Sequence, residues 1–236
     1  MAEPRAGVPE LTVVIPAYNE EQSIEPMVER LVLALEQRVD GLEILFVDDG
    51  SRDGTWQRIA ELASRDTRVR GIRFARNFGH QAALTAGVDA ATGRAVVIID
   101  ADLQDPPEVI PEMIERWRAG AEVVYGQREE REGETFFKKA TAAAFYRVLR
   151  RITNVDIPVD TGDFRLMGPR AVAAFRALPE RNRFIRGLVA WIGFPQVAVR
   201  YRRQARHAGE TKYPLRKMVR FALDGITSFS FLPLRL

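Results

Sequence analysis

The chain has 236 residues, of which 46% are apolar and 28% are charged, so it can form one domain with a sizeable core, and its composition excludes a disordered polypeptide. The absence of cysteine excludes disulfides, thiolate metal sites and a cysteine nucleophile, and two histidines leave little material for a zinc site. The net charge is only +3, but the basic residues are unevenly distributed.

Segments with strand and helix spacing alternate through the first half of the chain. A short apolar strand at residues 11–15 ends at Pro16, and a helix follows with Ser23 as its N-cap. The same pattern predicts helices from Asp53 or Thr55, at 81–91 and at 107–118, and strands at 43–47, 69–74, 96–99 and 122–125. This alternation predicts an α/β fold with a mostly parallel sheet and helices on both faces.

Polar side chains follow four of the predicted strands. Connections between parallel strands place the strand-end loops at one edge of the sheet, where open α/β sheets bind ligands. We therefore predict a single site, formed by Tyr18, Glu20, Asp48, Asp49, Asp100, Asp102, Gln104 and Arg128.

The centre of this predicted site is the motif D-A-D-L-Q-D-P-P at residues 100–107. Asp100 and Asp102 point to the same side of an extended chain, and with the carboxamide oxygen of Gln104 they suit a hard divalent cation that brings phosphates with it. A nucleotide diphosphate fits such a site, with Asp49 accepting from a uracil or guanine N–H. The alternative is a solvated acidic turn that caps the next helix. Glycine-rich phosphate loops are absent, which argues against a kinase or a dehydrogenase.

The second half of the chain has a less regular pattern. A charged loop precedes a basic amphipathic helix, and the sequence D-T-G-D-F-R-L then places a carboxylate, a glycine and an arginine together. Two more helices and one strand follow. The predicted segments are the loop at 129–134, the helices at 136–152, 170–175 and 184–192, the D-T-G-D-F-R-L sequence at 160–166 and the strand at 196–201.

For four residues, the sequence allows a structural interpretation as well as a functional one. Trp56 and Trp191 are interpreted as core residues rather than platforms for a sugar. His80 is given no catalytic role. Arg165 suits a structural partner of a neighbouring acid as well as it suits a phosphate ligand.

The C-terminal part of the sequence is basic and then apolar. Between residues 200 and 220, eight basic residues stand against one acid, Glu210, a pattern that favours the phosphates of a membrane or a ligand over nucleic acid. Residues 214–236 are typical of a helix in a membrane interface, with a helix docked on the protein's own core as the alternative. The N-terminus lacks the apolar region of a signal peptide, and the apolar C-terminal ending resembles the start of a membrane segment.

Five motifs in order carry a family resemblance: P-A-Y-N-E at 16–20, D-D-G-S at 48–51, R-N-F-G at 76–79, D-A-D-L-Q-D-P-P at 100–107 and D-T-G-D-F-R-L at 160–166. With them, the chain resembles the family 2 inverting glycosyltransferases of Rossmann-like GT-A fold over about residues 11–234. More narrowly it resembles the polyprenyl-phosphate glycosyltransferases, the group of dolichyl-phosphate mannose synthase and the GtrB-type glucosyltransferases. The resemblance implies a catalytic domain at 1–210 and a basic membrane-interface segment at 211–236.

The resemblance also implies roles for the matching residues. Mg²⁺ or Mn²⁺ is implied at Asp102 and Gln104. Asp163 matches the position of a proposed catalytic base in GtrB-like members, and Asp102 is the second implied catalytic residue. Mannose synthases lack an acid at the position of Asp163. The acceptor phosphate is already anionic and barely needs a base. The implied nucleotide-sugar contacts are Pro16, Tyr18, Glu20, Asp49, Asp100, Ala101, Asp102 and Arg128, and the implied lipid-phosphate contacts are Lys138, Arg206 and Lys212.

The implied reaction transfers a hexose with inversion from a nucleotide diphosphate sugar to polyprenyl phosphate at the cytosolic face of the plasma membrane. UDP-glucose is the first expected donor, followed by GDP-mannose and UDP-GlcNAc. The implied partners are the donor, the lipid phosphate, the membrane surface and further copies of the chain in a homotetramer. Two alternatives remain, a family 2 transferase that extends a polysaccharide or other glycan and a non-catalytic nucleotide-binding membrane module.

Overall fold

The computed structural model describes residues 7–129, 161–180 and 183–204. Its strands are β1 (Leu11–Ala17), β2 (Leu42–Asp48), β3 (Val69–Arg73), β4 (Ala95–Ile98), β5 (Val123–Arg128), β6 (Thr161–Met167) and β7 (Gln196–Tyr201). Within the described ranges these strands form one sheet in the order β3-β2-β1-β4-β6-β5-β7. Only β6 runs against its neighbours, and the other strands share one direction. The prediction of a mostly parallel sheet is confirmed.

Helices cover both faces of this sheet, as predicted. The helices are α1 (Glu21–Leu35), α2 (Thr55–Arg65), α3 (His80–Ala90), α4 (Ile110–Arg118), which follows a 3₁₀ turn at Pro107–Val109, α5 (Pro169–Arg176) and α6 (Ile185–Trp191). Alternate residues of β1 face opposite layers: Val13 and Ile15 belong to the core beneath α1, α2 and α4, and Val14 to the core beneath α3, α5 and α6. A Cβ at Gly87 of α3 would overlap the side chain of Val14, so this small-residue helix lies directly against the sheet.

The prediction that Pro16 ends the first strand was wrong. β1 continues to Ala17, and Pro16 pairs with Val47 of β2. The amide of Ile99 donates to the carbonyl of Val14, so the even-numbered residues of β1 direct their backbone N–H and C=O groups towards β4. The ladder between β1 and β4 ends at Ile98, opposite Val14. Pro16 therefore faces no β4 residue, and its missing N–H removes no hydrogen bond from the sheet.

Three further details differ from the sequence-based expectations. Trp191, interpreted as a core residue, is 56% exposed, because it is the last residue of α6 and lies beyond the buried Leu188 and Val189. Residues 161–167, for which no strand was predicted, form β6 between β4 and β5. Helix α1 begins earlier than predicted, because Glu20 occupies the N-cap position and Ser23 lies in the first turn, where its amide donates to the carbonyl of Glu20.

Several predicted segments lie outside the described residues. These are the helix at 136–152, most of the basic run after residue 204, the membrane-interface segment at 211–236, and with them Lys138, Arg206 and Lys212. In the part of the chain that is described, no helix is long and apolar enough to cross a membrane.

Candidate active site

The predicted convergence of strand ends is present in the structure. β1, β2, β4 and β5 share one direction, so the residues that follow them meet at the same edge of the sheet. β6 runs the other way and therefore begins at this edge, which brings Asp163 to it. Ile98 pairs with Arg165, and the same antiparallel register two residues further along places Asp100 opposite Asp163.

The loops after β1 and β2 are hydrogen-bonded to each other. The amide of Asn19 donates to Oγ of Ser51, and Oδ1 of Asn19 accepts from the amide of Arg52, both at 2.9 Å. The amide of Glu20 donates to Oγ1 of Thr55 at 2.9 Å. Asn19 holds a left-handed backbone with φ of 53°, which suits its short polar side chain. These bonds hold the half-buried Tyr18 and Glu20 at the edge, and their predicted contact with a nucleoside stays a prediction.

Asp49 anchors the loop that precedes α3. Its carboxylate is 3% exposed and accepts from the amides of Phe78 at 2.7 Å and of Gly79 at 2.9 Å. Burial raises the pKa of Asp49, and the two amides oppose this shift. Gly50, with φ of +68°, lets this loop pack against the end of β2, because a Cβ at Gly50 would overlap the backbone of Arg76. The D-D-G-S and R-N-F-G motifs therefore form one structural unit, and a nucleobase contact of Asp49 is untested.

The D-x-D segment turns sharply after β4. Leu103 has a left-handed backbone with φ of 58°, and its side chain is buried. Such a conformation is sterically costly for a branched residue and clusters at functional sites. The turn is closed by Oδ1 of Asp102, which accepts from the amide of Gln104 at 3.1 Å. It brings the side chains of Asp102 and Gln104, both half-buried, to the sheet edge, with Ala101 buried between the two acids.

Sequence reasoning missed a cluster around the fully buried Asp105. The hydroxyl of Tyr201 donates to Oδ1 of Asp105 at 2.6 Å and accepts from Nε of Arg128 at 3.2 Å. Arg128 also reaches Oδ2 of Asp105 at 3.4 Å. Arg203 lies 3.4 Å from Asp105 and 3.9 Å from Asp102. Asp105 thus holds two arginines from the ends of β5 and β7 beside the D-x-D pair.

Gly162 makes room for one of these arginines. A Cβ on Gly162 would lie 2.6 Å from Nη2 of Arg128, so any larger residue displaces the guanidinium. Arg165, two residues after Asp163, is 2% exposed and donates to the carbonyls of Asp163 at 3.3 Å and of Gly162 at 3.1 Å. Burial lowers the pKa of Arg165 to about 10. The structural alternative for Arg165 therefore fits its contacts.

His80 and Arg186 join Asp163 in a second cluster that sequence reasoning missed. Oδ1 of Asp163 accepts from Nε of Arg186 at 2.8 Å, and Oδ2 lies 3.1 Å from Nε2 of His80. The same His80 nitrogen is 3.6 Å from Oδ1 of Asp100. His80 directly follows the R-N-F-G motif, which was a usable signal. Arg186 is an ordinary arginine near the start of α6 and gave none.

The charges in this cluster shift one another's pKa values. Burial lowers the pKa of His80, but the hydrogen bond to Asp163 and the charges of Asp100 and Asp163 outweigh it and raise the pKa to about 9. Burial raises the pKa of Asp100 to about 6, against the attraction of His80. Burial also acts to raise the pKa of Asp163, but Arg186 and His80 hold it well below its ordinary value. At neutral pH the cluster contains an imidazolium bonded to an ionised Asp163.

The residues of the D-x-D turn fit a hard divalent cation. Asp102 and Gln104 offer only oxygen ligands, and Oδ1 of Asp100 is buried without a hydrogen-bond partner. Mg²⁺ commonly takes one or two carboxylates and completes its shell with substrate phosphates and water. Among the described residues, no group of three or more His, Asp or Glu side chains is arranged to hold a metal ion. The donor set thus suits a metal that arrives with a diphosphate.

Comparison with known proteins identifies the family. The model of the family described as glycosyl transferase family 2 matches residues 12–174. This chain is a family 2 glycosyltransferase. The match includes β1 to β6 and the D-x-D turn, and the resemblance of the sequence motifs to this family is confirmed.

Curated relatives of this family 2 glycosyltransferase cover nearly all of it. An uncharacterized glycosyltransferase of Bacillus subtilis, YkcC, is 55% identical over 225 residues, which are 95% of this chain and 70% of the relative. A prophage bactoprenol glucosyl transferase homolog of Escherichia coli is 44% identical over 96% of this chain and 74% of that protein. The bactoprenol glucosyl transferase of Shigella phage SfX is 43% identical over 95% of this chain and 74% of its own length.

Solved structures share the fold at lower identity. Glucosyl-3-phosphoglycerate synthase from Mycobacterium tuberculosis superposes with a TM-score of 0.63 at 20% identity, over 94% of this chain and 79% of that one. The mannosyltransferase PcManGT from Pyrobaculum calidifontis, solved with GDP-Man and Mn²⁺, has a TM-score of 0.57 at 23% identity, over 83% of this chain and 56% of that one. The mixed, mostly parallel sheet of this family 2 enzyme is therefore the GT-A fold.

Proposed function

We propose that this family 2 glycosyltransferase transfers glucose from UDP-glucose to polyprenyl phosphate, with inversion, at the cytosolic face of the membrane. The observation that carries the proposal is the similarity to bactoprenol glucosyl transferases, at 43% to 44% identity over at least 95% of this chain. The sheet edge agrees with it, because it combines a D-x-D turn with paired arginines. UDP-glucose remains the first expected donor, before GDP-mannose.

The donor is proposed to lie along the ends of β1, β2 and β4. Its nucleoside would contact Pro16, Tyr18, Glu20 and Asp49, and its ribose and diphosphate would contact Asp100 and Ala101. A Mg²⁺ or Mn²⁺ ion held by Asp102 and Gln104 would neutralise the diphosphate. Arg128 and Arg203, which Asp105 holds beside the D-x-D pair, would bind phosphate oxygens by forked contacts.

The chemical step needs little proton transfer. An oxygen of the acceptor phosphate forms a bond to C1 of glucose, the bond from C1 to the diphosphate oxygen breaks, and UDP departs with that electron pair. A phosphate monoester with a second pKa of about 6 is largely a dianion at neutral pH, so its attacking oxygen already carries the charge. Positioning and charge neutralisation by the residues of the edge are proposed to supply most of the rate enhancement.

The remaining parts of the proposal concern segments outside the described residues. We propose a catalytic domain at 1–210 and a membrane-interface segment at 211–236, with Lys138, Arg206 and Lys212 meeting the phosphate of the lipid. The basic composition after residue 200 supports this orientation, since anionic leaflets attract such segments. Assembly as a homotetramer is part of the same proposal.

A release assay for nucleoside diphosphate tests the function. UDP-glucose, GDP-mannose and UDP-GlcNAc are offered separately with Mg²⁺ or Mn²⁺, with and without polyprenyl phosphate in detergent. We expect UDP release from UDP-glucose that requires both the metal and the lipid phosphate. Release that depends instead on an oligosaccharide acceptor would favour a glycan-extending transferase. Metal-dependent nucleotide binding without release under any condition would contradict the proposal and favour a binding module.

A further inference from the structure

The carboxylate of Asp163 is buried and surrounded by donors. Its side chain is 4% exposed. Oδ1 accepts from Nε of Arg186 at 2.8 Å, and Oδ2 lies 3.1 Å from Nε2 of His80. Nη2 of Arg186 and Nε2 of Gln81 also approach Oδ2, both at 3.4 Å. One donor meets Oδ1 and three surround Oδ2, so both oxygens of the carboxylate are engaged by neighbouring side chains.

This environment is unsuited to a general base. A base needs a lone pair within reach of the proton that it removes. Asp163 directs its lone pairs at two cationic side chains and an amide, and Gln81 is itself fixed because its Oε1 accepts from the amide of Ile185 at 3.0 Å. Arg165 adds a third positive charge near Asp163, because its guanidinium donates to the backbone carbonyl of Asp163. The arrangement stabilises a permanent negative charge.

His80 is the most exposed side chain of this cluster. Its side chain is 32% exposed and stands between Asp163 and Asp100. An imidazolium has two donors, and Nε2–H is directed at Asp163. Among the residues that the structure describes, no group bonds Nδ1 of His80. The ring thus has one nitrogen fixed by a buried acid and one without a bond among the described residues, on a side chain that is partly exposed at the sheet edge.

We propose that Asp163 is a positioning residue rather than the base of the transfer, and that it holds His80 so that the imidazole donates a hydrogen bond to a phosphate oxygen of the bound substrates. This inference rests on the proposed function and names a binding residue for it. The phosphate belongs either to the diphosphate of the donor or to the monophosphate of the acceptor, since both present the same oxygen chemistry. The experiment distinguishes them.

A double-mutant cycle on UDP release tests the coupling. We expect His80→Ala and Asp163→Asn each to lower kcat/KM by about 10- to 100-fold, the range for a lost hydrogen bond to a charged group. If Asp163 acts through His80, the double variant is no worse than either single variant. His80→Gln, which keeps an N–H donor, restores part of the activity. Should Asp163→Asn cost the same factor with and without His80, Asp163 acts independently and the proposal is wrong.

The kinetic constants also identify the phosphate. A rise in KM for polyprenyl phosphate in His80→Ala assigns the contact to the acceptor, and a rise in KM for UDP-glucose assigns it to the donor. The matched control is Asp89→Asn, which removes an Asp–Arg pair, 3.2 Å long, from the same helix α3 but on an exposed side chain. We expect this control to leave all constants unchanged. Unchanged constants in His80→Ala itself would overturn the inference.

A binding measurement separates this inference from the proposed function. The chain has two histidines, so its NMR spectrum contains two imidazole Cε1–H signals, and His80→Gln identifies the one from His80. Adding UDP with Mg²⁺, or a short prenyl phosphate, should shift the His80 signal in the wild type and shift it less in Asp163→Asn. No shift with either ligand contradicts the inference. A shift without lipid-dependent release contradicts only the proposed function.

Discussion

The amide nitrogen of Phe78 lies 2.7 Å from Oδ1 of Asp49, so a carboxylate at the end of β2 holds the loop that leads into α3. That loop ends at His80, and its position decides where the imidazole stands relative to Asp100 and Asp163. The D-D-G-S and R-N-F-G motifs, which are separate in the chain, therefore form one structural unit at the sheet edge.

Asp49→Asn should detach this loop without unfolding the sheet. Asparagine replaces one accepting oxygen with an NH2 donor. With that donor in place of Oδ2, the amide of Gly79 loses its 2.9 Å bond and keeps only the longer 3.2 Å contact with Oδ1. We expect a loss of about 1–3 kcal/mol in the free energy of unfolding, the usual cost of a buried unsatisfied group. Urea denaturation measures it. The control Glu61→Gln lies on an exposed face of α2 and should change stability by less than about 0.5 kcal/mol.

Asp102→Ala should abolish turnover and leave the fold intact. Asp102 is half-buried and closes the turn through the amide of Gln104, and its replacement takes away the proposed metal ligand without removing an apolar core side chain. UDP release and thermal unfolding measure the two effects. Glu112→Ala removes an exposed acid of α4 and should leave both unchanged. Full activity of Asp102→Ala with added Mg²⁺ or Mn²⁺ would contradict the metal assignment.

Gly162→Ala should displace Arg128 and lower activity more than stability. The new Cβ would meet the guanidinium of Arg128, the far end of a flexible side chain, which can move away by giving up its contacts with Tyr201 and Asp105. We expect kcat/KM to fall about tenfold, as for the loss of one contact between charged groups, with a smaller effect on the melting temperature. The matched control is Gly168→Ala, where a Cβ also meets side-chain atoms, those of Glu122 and Trp117, but at the other end of β6. Equal activity losses in both variants would contradict a specific role for Arg128.

The stability that His80 contributes should disappear at alkaline pH. Its pKa is raised from 6.5 to about 9 in the folded protein, which means that the charged form is favoured by folding. The contribution is therefore complete below about pH 6.5, the ordinary pKa of histidine, and is lost as the pH rises through the folded value. Melting temperatures of wild type and His80→Gln, measured from pH 6 to pH 10, should differ most at pH 6 and converge near pH 10. A difference that is independent of pH would show that folding does not raise the pKa of His80.

The sequence by itself determined the layered α/β fold, the order of most elements and the edge at which the polar motifs gather. These features follow from local patterns: apolar runs of strand length, helical spacing between them, and polar residues directly after each strand. Parallel strands share a direction, so their ends meet without any knowledge of which strands are neighbours. The family resemblance of five ordered motifs added the class of reaction.

Only the tertiary structure decided which side chains touch. The insertion of β6 between β4 and β5 places Asp163 opposite Asp100, and a pairing between segments so distant in the chain leaves no trace in local periodicity. The contacts of Asp105 with Tyr201 and of Asp163 with Arg186 have the same origin, because each joins the ends of elements from different parts of the chain. Burial then changes the chemistry: a carboxylate that looks like a base in the sequence becomes, between an arginine and a histidine, a fixed negative charge.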